Sequence, residues 1–428
     1  MNSLIHRIFL CSLAILLAAN GAPTGPRDWK SSAGTTIHAD ALGVQDAVVS
    51  LRKEDGTALK VPLAKFAPED RDFLVKHFGA AAAPSAGGSS AAFVTDGLPH
   101  PIGKTTGPIK TGNGSSYFVY LPKTLRQGRK APLLHFNGAG GGSAGSLKNY
   151  IEGAEINGWI LAACVESKNQ NSFEKNHEHA KQCVEHLLKT LPIDPDRVYF
   201  TGHSGGGAMS FYNAARIRSA GAIPLIGYIP DDTNMKGGHY YICGGATDWN
   251  RYRCGRAAVE LGKNAIHRVH PGGHCNPPPW ILSEAIAWLN GRYLEKNARE
   301  HADEAKDYEA AMLAWIGKLK EKEPHRAYYW CRFLTEEYKI RGSNAAAVQS
   351  LSRELSAASL NVRYADGIKE IDEFSRKEYA TFENVGFANG KTSDRIMRAA
   401  EKLVKKYAGV PFIEETALHM GDKTAMQK

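Results

Sequence analysis

The stretch Arg197-Val-Tyr-Phe-Thr-Gly-His-Ser-Gly-Gly-Gly-Ala-Met209 decides how this chain is read, because it offers a serine as a nucleophile. β-Branched and aromatic residues run into Gly202-His203-Ser204-Gly205-Gly206, and a helix is expected from about Gly207. That is a G-x-S-x-G pattern in the strand–turn–helix setting that holds a serine at the tip of a strained turn. Glycines two positions to either side keep side chains from colliding where strand and helix pack closely. With 43 glycines in 428 residues, chance yields such a pentapeptide about 0.3 times per chain. A serine hydroxyl is also a weak nucleophile until a base takes its proton. Ser204 therefore needs partners elsewhere in the chain.

They follow in order. Tyr240-Tyr-Ile-Cys-Gly-Gly-Ala-Thr-Asp248 reads as a buried strand ending at Asp248, followed by a helical run to about Gly262. A further strand, Ala265–His270, leads into Pro271-Gly-Gly-His-Cys275, which places His274 on a loop. Ser, Asp and His, each just past a strand end, form a triad in which His274 is the base and Asp248 orients it. Asp231 and Asp232, beyond an expected strand Pro224–Ile229, are the competing acids, and His267 and His270 the competing bases. Asp248 is preferred because its strand directly precedes the histidine strand, and His274 because the others lie inside that strand. Upstream, Pro132–Phe136 reads as a strand running into Asn137-Gly-Ala-Gly-Gly-Gly142. Such a turn lets the N–H of Gly138 or Ala139 join that of Gly205 in facing an oxyanion.

On these motifs, together with Tyr117-Phe-Val-Tyr-Leu-Pro122 and Asp194-Pro-Asp-Arg-Val-Tyr-Phe200, residues from about Pro101 to Leu294 resemble an α/β-hydrolase. The resemblance is to the bacterial polyhydroxybutyrate depolymerase-like and feruloyl esterase-like group. It implies fold class α/β, a mostly parallel sheet flanked by helices, and a serine esterase with neither cofactor nor metal. That group usually carries His-Gly at the oxyanion turn, where this chain has Asn137-Gly138, and asparagine can still hydrogen-bond to hold the loop. Trp249, Tyr252 and Trp280 lie near the acid and base loops and are expected to stack on a substrate ring. Only a short connection separates Pro230 from Tyr240, too little for a large helical lid. An open cleft suits esters on a polymer, such as acetyl or feruloyl groups on polysaccharide. The competing readings are a peptidase or polyester depolymerase of the same fold, and a hydrolase fold used only for binding.

The rest of the chain reads as accessory modules. Residues 1–22 combine a cationic start, an apolar run Ile8–Ala19 and small residues, as a secretory signal peptide does, so the protein is expected to be exported, periplasmic or extracellular. The run is short for a membrane span, and Leu10 before Cys11 argues against lipoprotein processing. Six cysteines remain, an even number that permits disulfides in an exported protein. The pairing expected is Cys254 with Cys275, clipping the acid and base loops together, against buried free thiols. Residues 27–78 contain strands Ala47–Lys53 and Ala58–Leu63 about an Asp55-Gly56 turn, then a helix from Pro68 carrying Phe73 and Leu74. With Trp29, Val61-Pro-Leu63 and Pro68-Glu-Asp-Arg71, this small β-barrel module is similar to Sla homology domain one, of the Src-homology-3-like type.

Residues 79–95 form an Ala/Gly/Ser/Pro linker, 96–295 the hydrolase, and 296–428 a helical region. Apolar residues there recur at helical spacing in Tyr308, Met312, Trp315 and Leu319, then Tyr328, Cys331, Leu334 and Tyr338. The module at 27–78 and the helical region are the expected surfaces for cell-envelope or protein contact. The net charge of +9 is scattered rather than gathered in a basic run, which argues against a nucleic-acid partner. His177, His179, Cys183 and His186 share one predicted helix but lack a second ligand pair, so no metal is expected. Glu166 reads as a pocket-rim residue.

Overall fold

The computed structural model describes residues 23–45, 48–78, 93–94, 97–235, 237–380 and 390–422. The expected signal peptide and most of the linker lie outside the described residues. The chain divides into two compact units, Met1–Ser89 and Ser90–Lys428.

In the first unit, β1 (Pro26–Lys30), β2 (Thr36–Gln45), β3 (Val48–Arg52) and β4 (Ala58–Pro62) form an antiparallel sheet in chain order. The β3–β4 turn is tight because Gly56 takes φ +83° and the Asp55 carboxylate accepts the Thr57 N–H at 2.9 Å. Val49 and Leu51 alternate inward onto Trp29, whose indole N–H donates to the Ala39 carbonyl. An antiparallel bridge between Ser31 and Phe66 brings the chain beyond β4 back to the end of β1. Asp70 then clips the helix Pro68–Phe78 to β1, accepting from Arg27 at 2.9 Å and from the Lys30 N–H at 2.7 Å. Leu74 and Phe78 enter the core while Phe73 stays outside under the Arg27 guanidinium.

The second unit is built on one sheet of eight strands: β5 (Thr105–Lys110), β6 (Ser116–Tyr120), β7 (Ala131–Asn137), β8 (Ile160–Cys164), β9 (Ile193–His203), β10 (Gly221–Leu225), β11 (His239–Gly245) and β12 (Ala265–His270). Their order is β12-β11-β10-β9-β7-β8-β6-β5, with β7 to β12 mutually parallel and β6 antiparallel to its neighbours. Neighbouring residues serve opposite faces. Leu134, Tyr241 and Cys243 pack under the helix Pro279–Lys296, whereas Leu133, Tyr240 and Ile242 pack under Phe173–Thr190, Gly205–Arg216 and Arg251–Leu261. This is the sheet of an α/β-hydrolase, and Ser204, Asp248 and His274 follow the carboxyl ends of β9, β11 and β12. The strand expected at Pro224–Ile229 instead ends at Leu225, because Ile226 turns the chain away with φ +52°.

The helical region belongs to the same compact unit as the sheet. Tyr308, Met312 and Trp315 from Ala302–Lys322, and Trp330 from Pro324–Arg332, share a core with the helix Pro279–Lys296. Farther along, the helix Ser359–Phe374 and the π-helical turn Ser375–Tyr379 cover the β12 edge. Asp372 accepts the His267 N–H at 3.0 Å and Arg376 donates to the Ala265 carbonyl at 2.5 Å, capping polar backbone that a sheet edge would otherwise expose. A buried carboxylate ties the two parts together. Glu284, its side chain 1 % exposed, lies between Arg326 at 3.1 Å and Arg268 of β12 at 3.5 Å. Glu284→Ala would leave two buried guanidinium groups short of counter-charge. The expected loss is about 3–5 kcal/mol of stability, read as a lower urea midpoint.

Candidate active site

Ser204 stands at φ 58°, ψ −117°, a conformation that non-glycine residues rarely adopt, directly before the helix Gly205–Arg216. The helix thus starts two residues earlier than the sequence suggested. Close approach explains the flanking glycines: a Cβ on either Gly202 or Gly206 would collide with the Asn137 carbonyl oxygen. Gly206→Ala should therefore push the β7 turn away from the elbow. The expected cost is about 3 kcal/mol, seen as a lower melting temperature together with lost turnover.

Three side chains meet at this elbow. His274 Nε2 lies 2.9 Å from Ser204 Oγ, and His274 Nδ1 lies 2.6 Å from Asp248 Oδ2. Asp248 is 1 % exposed, and its second oxygen accepts the Asn250 N–H. Burial raises the Asp248 carboxyl above its ordinary value, against the Asn250 N–H and the adjacent His274. The Trp249 ring stacks on His274 at 4.8 Å and 15°, and His203 meets it edge-on at 5.1 Å. Burial, and then repulsion by His274, lowers the His203 pKa and favours a neutral ring beside the base. The loops carrying the acid and base are braced from behind. Arg251 donates to the Asp248 carbonyl at 2.5 Å and to Tyr252 Oη at 2.6 Å, and His419 donates to the Pro271 carbonyl at 2.5 Å.

The glycine-rich turn after β7 lies against the elbow. Asn137, fully buried, donates to the Thr201 carbonyl at 3.4 Å and accepts from Asn213 at 3.3 Å. Gly138 shapes the turn, its carbonyl accepting the Gly141 N–H. Ala139 N lies 3.5 Å from the place a Gly206 Cβ would occupy, beside the first turn of the helix. Gly205 opens that helix, where amide groups have no intrahelical acceptor. The turn at Ala139 and the helix start at Gly205 thus both lie beside the elbow that carries Ser204.

A cavity of about 370 Å³ opens from Ser204 past Asn169, Phe173, Tyr228, Trp249 and Arg253. Of the three aromatic residues expected at the substrate, the structure brings only Trp249 here, 44 % exposed. Tyr252 points the other way on its helix and is buried edge-on against Tyr379. Trp280 packs on Phe412 at 5.1 Å and under Arg326. Both were misread because their partners come from the helical region. Asn169, Tyr228 and Arg253 were missed; the signal available was position, since the first two follow the ends of β8 and β10.

Other expectations are corrected. Cys254 and Cys275 are both free thiols, not a disulfide: Cys254 is buried with Sγ 3.3 Å from the Gly227 carbonyl, whereas Cys275 is exposed. Glu166 is no rim residue but a clip, accepting the Ser116 N–H and hydroxyl at 2.8 and 2.6 Å. Asp232 pairs with Arg216, His267 bonds Ser375, and His270 accepts the Gly272 N–H, so none of these rivals reaches Ser204 through a hydrogen bond. In the histidine helix His177 bonds Asn213, His179 bonds Ser115 and His186 bonds Tyr117. Among the described residues, no three His, Cys, Asp or Glu gather as a metal site.

No protein-family model and no curated protein matches the chain. Among solved structures it is similar to an esterase of Pyrobaculum calidifontis, at 13% identity and TM-score 0.37, over 44% of this chain and 86% of that one. It is also similar to a fluorophosphonate-binding serine hydrolase of Staphylococcus aureus, at 12% identity and TM-score 0.33, over 41% and 92%. A bacterial heroin esterase shares 15% identity with TM-score 0.34, over 40% and 78%.

Proposed function

We propose that this protein is an exported serine esterase that cleaves carboxylic esters borne on a polymer, such as acetyl or feruloyl groups on polysaccharide. The observation that carries the reading is the unbroken hydrogen-bond line from Asp248 through His274 to Ser204. His274 Nε2 removes the Ser204 proton as Oγ attacks the ester carbonyl, while Asp248 keeps the other ring nitrogen protonated. The Ala139 and Gly205 N–H groups receive the oxyanion. His274 returns the proton to the departing alkoxide, and a water activated the same way releases the acid. All these groups belong to the chain itself. A polymer-borne substrate is supported by the crossing from β10 to β11, whose described residues form no helix, and by the exposure of Trp249 beside the cavity. Export rests on the N-terminal sequence, and the unit at 27–78 would serve as its docking module.

A fluorophosphonate probe tests the reading. Stoichiometric labelling that peptide mapping places on Ser204, with turnover of simple aryl esters, is the expected result. A folded protein that neither labels nor hydrolyses them is a binding protein instead. A panel of acetyl, feruloyl, hydroxybutyryl and peptide substrates then ranks the acyl groups.

A further inference from the structure

The cavity beside Ser204 has an uneven charge. Among the described residues lining it, Arg253 alone is charged; the rest are asparagines, aromatics, a methionine, Ser204 and a glycine. The Arg253 guanidinium sits 4.6 Å from the Tyr228 ring centroid, and both line the cavity. No hydrogen bond or ion pair to Arg253 is found among the described residues, and several carboxylates on the loops after the strands are engaged elsewhere. Asp248 holds His274, Glu166 holds Ser116, and Asp232 pairs with Arg216. The asparagines at the wall are largely occupied too: Asn171 donates to the Glu166 carbonyl and to Asn176, which in turn spans the Lys168 backbone.

The guanidinium is half-buried at the cavity wall and has no carboxylate of its own, so it is available to an anion that enters. Its planar fork suits a carboxylate better than any neutral group. Resting on Tyr228 restricts the side chain beforehand and reduces what must be ordered on binding. Three helices, starting at Phe173, Gly205 and Arg251, also begin at this wall and add to its positive potential.

Resting on the esterase reading, we infer that the substrate is an ester carrying a second, free carboxylate, and that Arg253 binds it. The ester carbonyl lies at Ser204 while the carboxylate reaches across the cavity to the guanidinium. The group decides specificity without touching the reacting atoms. Its source can lie on either side of the scissile bond, in a dicarboxylic acyl group or in an acidic alcohol such as a uronic acid.

The test pairs matched esters. For the acyl side, p-nitrophenyl hemisuccinate is compared with p-nitrophenyl butyrate; for the alcohol side, 4-acetoxybenzoate with phenyl acetate. In the native protein kcat/KM should favour the anionic member of at least one pair, and that pair identifies the side. Arg253→Met should lower the anionic-to-neutral ratio by about 10–100-fold, with the loss mainly in KM, and Arg253→Lys should restore part of it. A native ratio at or below one in both pairs, or a ratio that Arg253→Met leaves within about threefold, overturns the assignment. The neutral esters keep the two ideas separate. Their turnover with no Arg253-dependent discrimination rejects only this inference. No turnover of any ester, with no fluorophosphonate label, rejects the esterase reading beneath it.

Discussion

Ser204→Ala is expected to lower kcat for ester hydrolysis by about 10⁶-fold and to abolish fluorophosphonate labelling. Two features make this the largest single effect. Oγ is the atom to which His274 Nε2 points at 2.9 Å, and the strained backbone at φ 58° exposes that atom at the turn. Alanine keeps the backbone, the glycine contacts and the Ser204 N–H bond to the Leu225 carbonyl, so the melting temperature should move little. The measurement is steady-state turnover beside a thermal melt. Retention of more than about one hundredth of the native rate would mean that another nucleophile acts.

Asp248→Asn separates activity from stability. An amide in place of the carboxylate can donate to His274 Nδ1, which strips Nε2 of its role as acceptor for the Ser204 proton; turnover should fall by about 10⁴-fold. Stability should go the other way. Burial raises the Asp248 pKa, so the folded protein holds a proton here at pH values where the unfolded chain has lost it. Ionised Asp248 therefore costs stability, and that cost grows as pH rises through the window between the two values. At neutral pH the asparagine variant should melt no lower than the native protein. Its melting temperature should also lose part of the decline that the native protein shows as pH rises through that window. A large destabilisation would show instead that the Asp248–His274 contact holds the loops together.

Much of this site was legible because each triad member follows a strand in chain order. Strand ends carry a strong local signature in Tyr199-Phe200 before the elbow, Ile242-Cys243 before Asp248 and Val269-His270 before His274. What stayed hidden depends on residues distant in sequence. Nothing near Tyr252 announces Tyr379, and nothing near Trp280 announces Phe412, so both rings looked available to a substrate. The disulfide expectation failed on helix rotation: Cys254 is turned toward Gly227 and the sheet while Cys275 stays on the surface. The aromatic stripe Tyr308, Met312 and Trp315 was recognisable as a packing face. That its partner is the last helix over the sheet was not, since helical spacing tells which face is apolar but not what covers it.

The brace behind the base loop has a consequence in time. His419 holds the Pro271 carbonyl, and the helix that seals β12 is made well after the strands it closes over. A growing chain would possess its nucleophile, acid and base long before it possessed the parts that hold two of them still. Competence would then arrive late, as a final act of assembly. A chain cut short before Ser359 would carry a complete set of reactive groups with little power to use them.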